Sequence, residues 1–167
     1  MKRILAADCG SQGLRRLLAG ALLLGVMLAG HPCLCAADGV WTQPATGNLW
    51  GVSGNWASGA IADGTNFTAN FGTIDITADT TVRLDTARSI GNLIFGDTAI
   101  GTAGSWILDN NGSALNVLTL SGATPTITVN ALGAGKTATI SLALAGTSGL
   151  TKAGLGTLVL SGVNTYT

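Results

Sequence analysis

Short stretches of the chain alternate apolar and polar residues with period two. Ile74 and Ile76 flank Asp75, Val82 and Leu84 alternate with Arg83 and Asp85, and Leu93 and Phe95 flank Ile94. Trp106 and Leu108 flank Ile107, Leu118 and Leu120 flank Thr119, and Ile127 and Val129 flank Thr128. Ile140, Leu142 and Leu144 alternate with Ser141 and Ala143, and Leu158 and Leu160 flank Val159. Alternation of this kind puts one set of side chains on one face of a strand, so each stretch predicts a half-buried β-strand. No stretch carries the 3.6-residue period of an amphipathic helix. Glycine and asparagine fall between the strands, as in Gly91-Asn92, Gly96-Asp97, Asn110-Asn111-Gly112, Gly133, Gly146 and Gly154. Both residues tolerate positive φ and allow tight corners. The strands recur roughly every 8–14 residues, a spacing that fits a sandwich or a solenoid. Outward positions are mostly Thr, Ser, Ala and Asn, which suits stacked rungs. The fold class expected is all-β.

Two segments break the pattern. Residues 38–65 place Trp41, Trp50 and Trp56 among Gly, Asn and Ser, and this segment is expected to be an irregular N-terminal cap over the first rung. The same three tryptophans are the candidate ligand-stacking residues, since indole rings also stack on sugars. Residues 1–37 read as a secretory signal peptide. Lys2, Arg3, Arg15 and Arg16 supply the basic region, Leu17 to Gly30 the apolar core, and Cys35 and Ala37 the small residues before a cut after Ala37. The apolar run is shorter than the roughly 20 residues of a membrane span and is broken by Gly20, Gly25 and Gly30. No transmembrane span is therefore expected after cleavage. Gly30 is followed by His31 where a lipoprotein signal needs Cys, and the residues around Arg15-Arg16 fit a twin-arginine signal poorly. Export by the general secretory machinery is the expectation.

Cleavage changes the chemistry available. Cys9, Cys33, Cys35 and His31 leave with the leader, and the chain has no glutamate. Triads that need histidine and zinc sites that need His or Cys are then excluded, and no cofactor is expected. Arg83, Arg88, Lys136 and Lys152 face seven aspartates, a net charge of about −3 that offers no electrostatic footprint for nucleic acid. Asp75, Asp79, Asp85, Asp97 and Asp109 are scattered and read as solvated surface; a calcium site would need them to converge. Asn130 to Thr137 resembles a phosphate-binding loop, but Asn130 stands where the first glycine belongs. The following residues alternate as a strand where that motif needs a helix, so a turn with a solvated lysine is expected. Asn66-Phe67-Thr68 and Asn111-Gly112-Ser113 fit the glycosylation pattern and are read as turns.

The C-terminus is more specific. Gly149-Leu150-Thr151-Lys152, a glycine turn at Gly154 and Gly156, then Thr157-Leu158-Val159-Leu160-Ser161-Gly162-Val163-Asn164-Thr165-Tyr166 resembles the autotransporter-associated β-strand repeat, also called the passenger-associated transport repeat. Val82 to Gly96 and the tryptophan-rich start are similar to companion regions of such proteins. The resemblance implies a right-handed parallel β-helix over residues 66–167, with the repeat at 149–167. It also implies secretion, a surface or outer-membrane-associated location in a bacterium, and a role as scaffold or adhesin rather than enzyme. The expected partners are a surface polysaccharide or a host or matrix ligand. In the motif, Leu150, Leu158 and Leu160 face the core, Asn164 bonds backbone at a turn and Tyr166 covers a rung edge. The family motif continues past the position of Thr167, and barrel strands are lacking, so the expectation is either a fragment of a larger autotransporter or a short product that cannot translocate itself. The alternatives are a carbohydrate-binding module using the tryptophans and a fragment of a β-helical polysaccharide-degrading enzyme using aspartates.

Overall fold

A computed structural model describes residues 36–167, and the leader read as a signal peptide lies outside the described residues except for Ala36 and Ala37. Twelve strands follow in order: β1 (Gly39–Val40), β2 (Asn48–Leu49), β3 (Gly64–Asn70), β4 (Thr80–Arg83), β5 (Arg88–Phe95) and β6 (Trp106–Asp109), then β7 (Leu118–Leu120), β8 (Thr126–Val129), β9 (Thr137–Ile140), β10 (Leu144–Ala145), β11 (Thr151–Ala153) and β12 (Thr157–Leu160). The only helical pieces among the described residues are two 3-10 turns, Ser53–Asn55 and Ala57–Gly59. No described helix is long and apolar enough to cross a membrane.

The strands form two sheets, and every ladder between them is parallel. One sheet runs β1-β3-β5, after which β5 pairs with both β7 and β8, β10 joins β7 and β11 joins β8. The other runs β2-β4-β6-β9-β12. Parallel neighbours cannot be joined by a hairpin and usually need a crossover helix. Here the crossover is itself a strand: the chain leaves one sheet, adds a strand to the other and returns. That is why short segments with no helical period suffice.

Parallel register stacks like upon like. Val82, Leu108, Ile140 and Leu160 stand side by side across the second sheet, as do Thr80, Trp106, Ala138 and Leu158. Ala69, Leu93 and Ile127 do the same in the first. Val82, Leu108, Ile140, Ala69, Leu93 and Ile127 are buried, while the alternate positions Thr81, Ile107 and Thr139 are half-exposed. Each buried Leu or Ile side chain stabilises the fold by about 1.5–3 kcal/mol relative to exposure, so these columns supply much of the driving force.

A corner in the first sheet depends on one glycine. The β3–β5 register shifts between Gly64 and Thr68, and Asn66, at the bulge, has φ 67°. Its N–H passes over β5 to donate to the Ser121 carbonyl at 3.0 Å. A Cβ on Gly91 would lie 2.5 Å from the Asn66 Cα and 2.7 Å from its carbonyl carbon. Backbone cannot yield as a flexible side chain can, so Gly91→Ala is expected to cost about 1–3 kcal/mol, measurable as a lowered urea midpoint with unchanged m-value.

The alternation in the sequence marks most of these strands, with two departures. Ile74 to Ile76 is not a strand: Ile76 is buried, but its N–H is taken by the Asp97 carboxylate at 2.8 Å instead of a ladder partner. Ile140 to Leu144 is not one strand either. β9 ends at Ile140 and β10 begins at Leu144 in the other sheet, with Leu142 buried at the corner between them. β3, with little apolar alternation, crosses residue 65 without a break.

Candidate functional site

The three tryptophans follow or separate the shortest elements. Trp41 follows β1, Trp50 follows β2, and Trp56 lies between the two 3-10 turns. All three rings are buried, at 0%, 0% and 2% exposure. Trp56 meets Trp41 edge-on at 5.0 Å and Trp50 at 5.2 Å. All three lean on Phe71, which stacks on Phe95 at 5.2 Å and 11°. Each indole N–H donates to a carbonyl: Trp41 to Gln43 at 2.7 Å, Trp50 to Ala62 at 2.9 Å and Trp56 to Trp50 at 2.6 Å. Buried indoles require such a partner. These rings form an aromatic plug continuous with the core and leave no face in solvent on which a sugar could stack.

The aspartates do more than sit in solvent. Six of the seven described ones accept a backbone N–H: Asp38 from Thr68, Asp63 from Ser89, Asp79 from Ser105, Asp85 from Gly51, Asp97 from Ile76 and Ala99, and Asp109 from Asn111. They close turns and tie successive passes of the chain together, which corrects the expectation of a merely solvated role for Asp79, Asp85, Asp97 and Asp109. Among the described residues no three of His, Cys, Asp or Glu converge as metal ligands would.

Lys136 is held by Asp79 at 3.0 Å, and its own N–H closes a turn onto the Gly133 carbonyl. Thr137 then opens β9, so the stretch from Asn130 to Thr137 lacks the helix a phosphate loop needs. The Ser105 N–H, followed by Lys136, holds the Asp79 carboxyl below its ordinary value of 3.8. Because the folded value is lowered, this stabilisation is present above pH 3.8 and is lost as pH falls through the lowered folded value. Lys136→Met is expected to move the Asp79 titration only part of the way back, since the backbone donor remains; carboxyl-detected NMR titration reads this directly.

One charged pair is buried. Arg88 opens β5 and meets Asp63 at 3.0 Å, with side-chain exposures of 3% and 11%. Asp63 also accepts the Ser89 N–H at 3.2 Å, and its backbone bridges Ala37 in both directions. The Arg88 Nε has no hydrogen-bond partner among the described residues. Sequence reasoning passed over this pair. The signal was Arg88 two positions before Ile90, an arginine on the inward face of an alternating strand.

At the C-terminus, Asn164 accepts the Leu144 N–H at 3.0 Å, as the motif requires of a turn asparagine. Leu150, Leu158, Leu160 and Tyr166 pack against the core but remain half-exposed. Asn66 and Asn111 both have positive φ, 67° at the β3 bulge and 51° in the turn after β6.

No family model matches the chain. No solved structure matches it. A curated relative does: the chain is 36% identical over 129 residues to the adhesin BmaC autotransporter of Brucella suis biovar 1 (strain 1330), an alignment covering 77% of this chain. The aligned stretch is 3% of that protein's length. The chain is thus related in sequence to a short part of a very long autotransporter adhesin.

Proposed function

We propose that this chain is an exported structural segment displayed at a bacterial surface, an adhesin-like passenger module with no catalytic role of its own. In this reading residues 1–37 are a cleaved signal peptide, residues 38–65 cap the first rung, and residues 66–167 wind as a right-handed parallel β-helix ending in the transport-associated repeat at 149–167. The observation that carries it is the repeated return of the chain between two sheets whose ladders are all parallel, in a chain that aligns with an autotransporter adhesin. The Trp41, Trp50 and Trp56 plug supports the capping role, because a stack of rungs needs its first apolar layer covered. An elongated scaffold of this kind presents side chains along its outside, and its ligand would be a surface polysaccharide or a host or matrix molecule.

The test is export and display. Expressed from its own start in a Gram-negative host, the chain is expected to lose its leader between Ala37 and Asp38, read by N-terminal sequencing. Its far-ultraviolet circular dichroism should be that of β-structure. Retention of residues 1–37 on a cytoplasmic product, or a strongly helical spectrum, would overturn the reading.

A further inference from the structure

The turn after β6 is built on the one Asn-Gly pair of the chain, Asn111-Gly112. Asn111 has φ 51° and Gly112 has φ 76°. Two successive left-handed residues are what Asn-Gly supplies and what most other pairs adopt only with strain. The turn is tied at several points. Asp109 accepts the Asn111 N–H at 2.8 Å, the Asn110 Oδ1 accepts the Gly112 N–H at 3.1 Å, and the Asn110 carbonyl accepts the Ser113 N–H at 3.0 Å. Buried Asn116 anchors the far end of the loop, donating to the Leu84 and Asn110 carbonyls at 2.7 and 3.0 Å.

The Asn111 side chain stands outside this network. It is exposed, and among the described residues its amide has no hydrogen-bond partner. The space beside Gly112 is open: a Cβ there would meet nothing within 4 Å. The other exposed asparagines among the described residues, Asn66 and Asn130, precede Phe67 and Ala131. Their following residues carry side chains that crowd an approach by the next backbone nitrogen, and glycine does not. The fold therefore keeps a reactive pair in the turn because the turn needs that pair.

We propose that Asn111 is a site of spontaneous modification, converting to aspartate and isoaspartate in water, and that Asn110 is the positioning residue that slows the reaction. The Gly112 nitrogen gives up its proton and bonds to the Asn111 Cγ. The Cγ–Nδ2 bond breaks, and the amide leaves with that proton as ammonia. Water then opens the cyclic imide at one of its two carbonyls. One opening yields aspartate, and the other yields isoaspartate, with the main chain running through the side-chain carbon. While the Gly112 N–H points at the Asn110 Oδ1, its nitrogen is held away from Cγ. Both products put a new carboxylate beside Asp109, which already pairs with Arg83 at 3.8 Å. The isoaspartyl product also lengthens the main chain and opens the turn between Asn110 and Ser113, with Asn116 still holding the base of the loop.

The test incubates the folded full chain in mildly alkaline buffer made with heavy-oxygen water, followed by digestion in ordinary water and mass spectrometry of the peptides. The peptide holding Asn111 is expected to gain one heavy oxygen before those holding Asn66 and Asn130, and to split into two chromatographic peaks. Asn110→Ala should speed the gain by about twofold to tenfold, the factor that one hydrogen bond is worth. Its rate should stay below that of a free peptide of residues 107–115, which separates loss of one hydrogen bond from melting of the loop. Earlier gain at Asn66 or Asn130, or no gain at Asn111 while the free peptide reacts to completion, would overturn the proposal. An Asn110→Ala rate equal to the parent's, or to the free peptide's, would overturn the role of Asn110. The reaction needs only water, so none of these outcomes bears on export or surface display.

Discussion

Trp50→Ala is expected to lower the stability of the folded body by about 3–5 kcal/mol, the range for truncating a fully buried large aromatic. The ring is 0% exposed, contacts Trp56 and Phe71, and ties its N–H to the Ala62 carbonyl. Removing it leaves a cavity at the centre of the plug and an unpaired buried carbonyl, and two penalties of different origin add. A domain of this size is stable by about 5–15 kcal/mol, so the loss is a large part of the whole. Urea denaturation followed by circular dichroism measures it. The result also separates two roles for the aromatic cluster. A ring exposed for sugar stacking could be truncated for well under 1 kcal/mol, within the usual range for surface substitutions. Trp41→Phe should be milder than Trp50→Ala, because it keeps most of the ring contacts and loses mainly the N–H bond to Gln43.

The sequence showed the strands better than it showed what holds them in place. Alternation at 93–95, 106–108, 118–120, 127–129 and 158–160 marks strands because these sit with one face on the core and one in water. Alternation also ran on where there is no single strand. Ile140 to Leu144 keeps period two through a corner, since a buried residue is needed on both sides of it. β3 was invisible for the opposite reason: GTNFTAN contains a bulge at Asn66, which breaks the period and is stabilised by a partner, Ser121, far along the chain. The tryptophans were legible as large aromatics in an irregular segment, and burial is what their type favours. Their mutual packing depends on Phe71, which lies outside the segment that contains them. The aspartates misled because composition reports charge and not the N–H each carboxylate accepts. Lys152 was legible as part of a motif, whereas its place over Ile127 follows only from the register of β11 on β8.

The second large effect concerns Arg88. It occupies an inward column, pairing with Leu118, which pairs with Leu144, and it is the only charged residue there. Arg88→Leu alone is expected to destabilise the fold by about 3–5 kcal/mol, because Asp63 is left as a nearly buried, uncompensated charge. Arg88→Leu combined with Asp63→Asn should recover most of that loss and come within about 1 kcal/mol of the parent. Leucine continues the column, and the asparagine oxygen still accepts the Ser89 N–H now held by Asp63. Buried ion pairs are often no more stabilising than the apolar residues that could replace them, so the pair's value lies in what it excludes. Its expected effect is to fix the register of β3 on β5. Asp63, just before β3, accepts from both Ser89 and Arg88 of β5, so the pair ties the start of β3 to β5. A two-residue slip keeps the same face inward and would leave a buried guanidinium with no partner, whereas a column of leucines would tolerate it. The double variant should therefore stay within about 1 kcal/mol of the parent in urea but show faster amide hydrogen exchange at Ser89. A double variant as unstable as Arg88→Leu alone would mean that Arg88 acts through packing and not through Asp63.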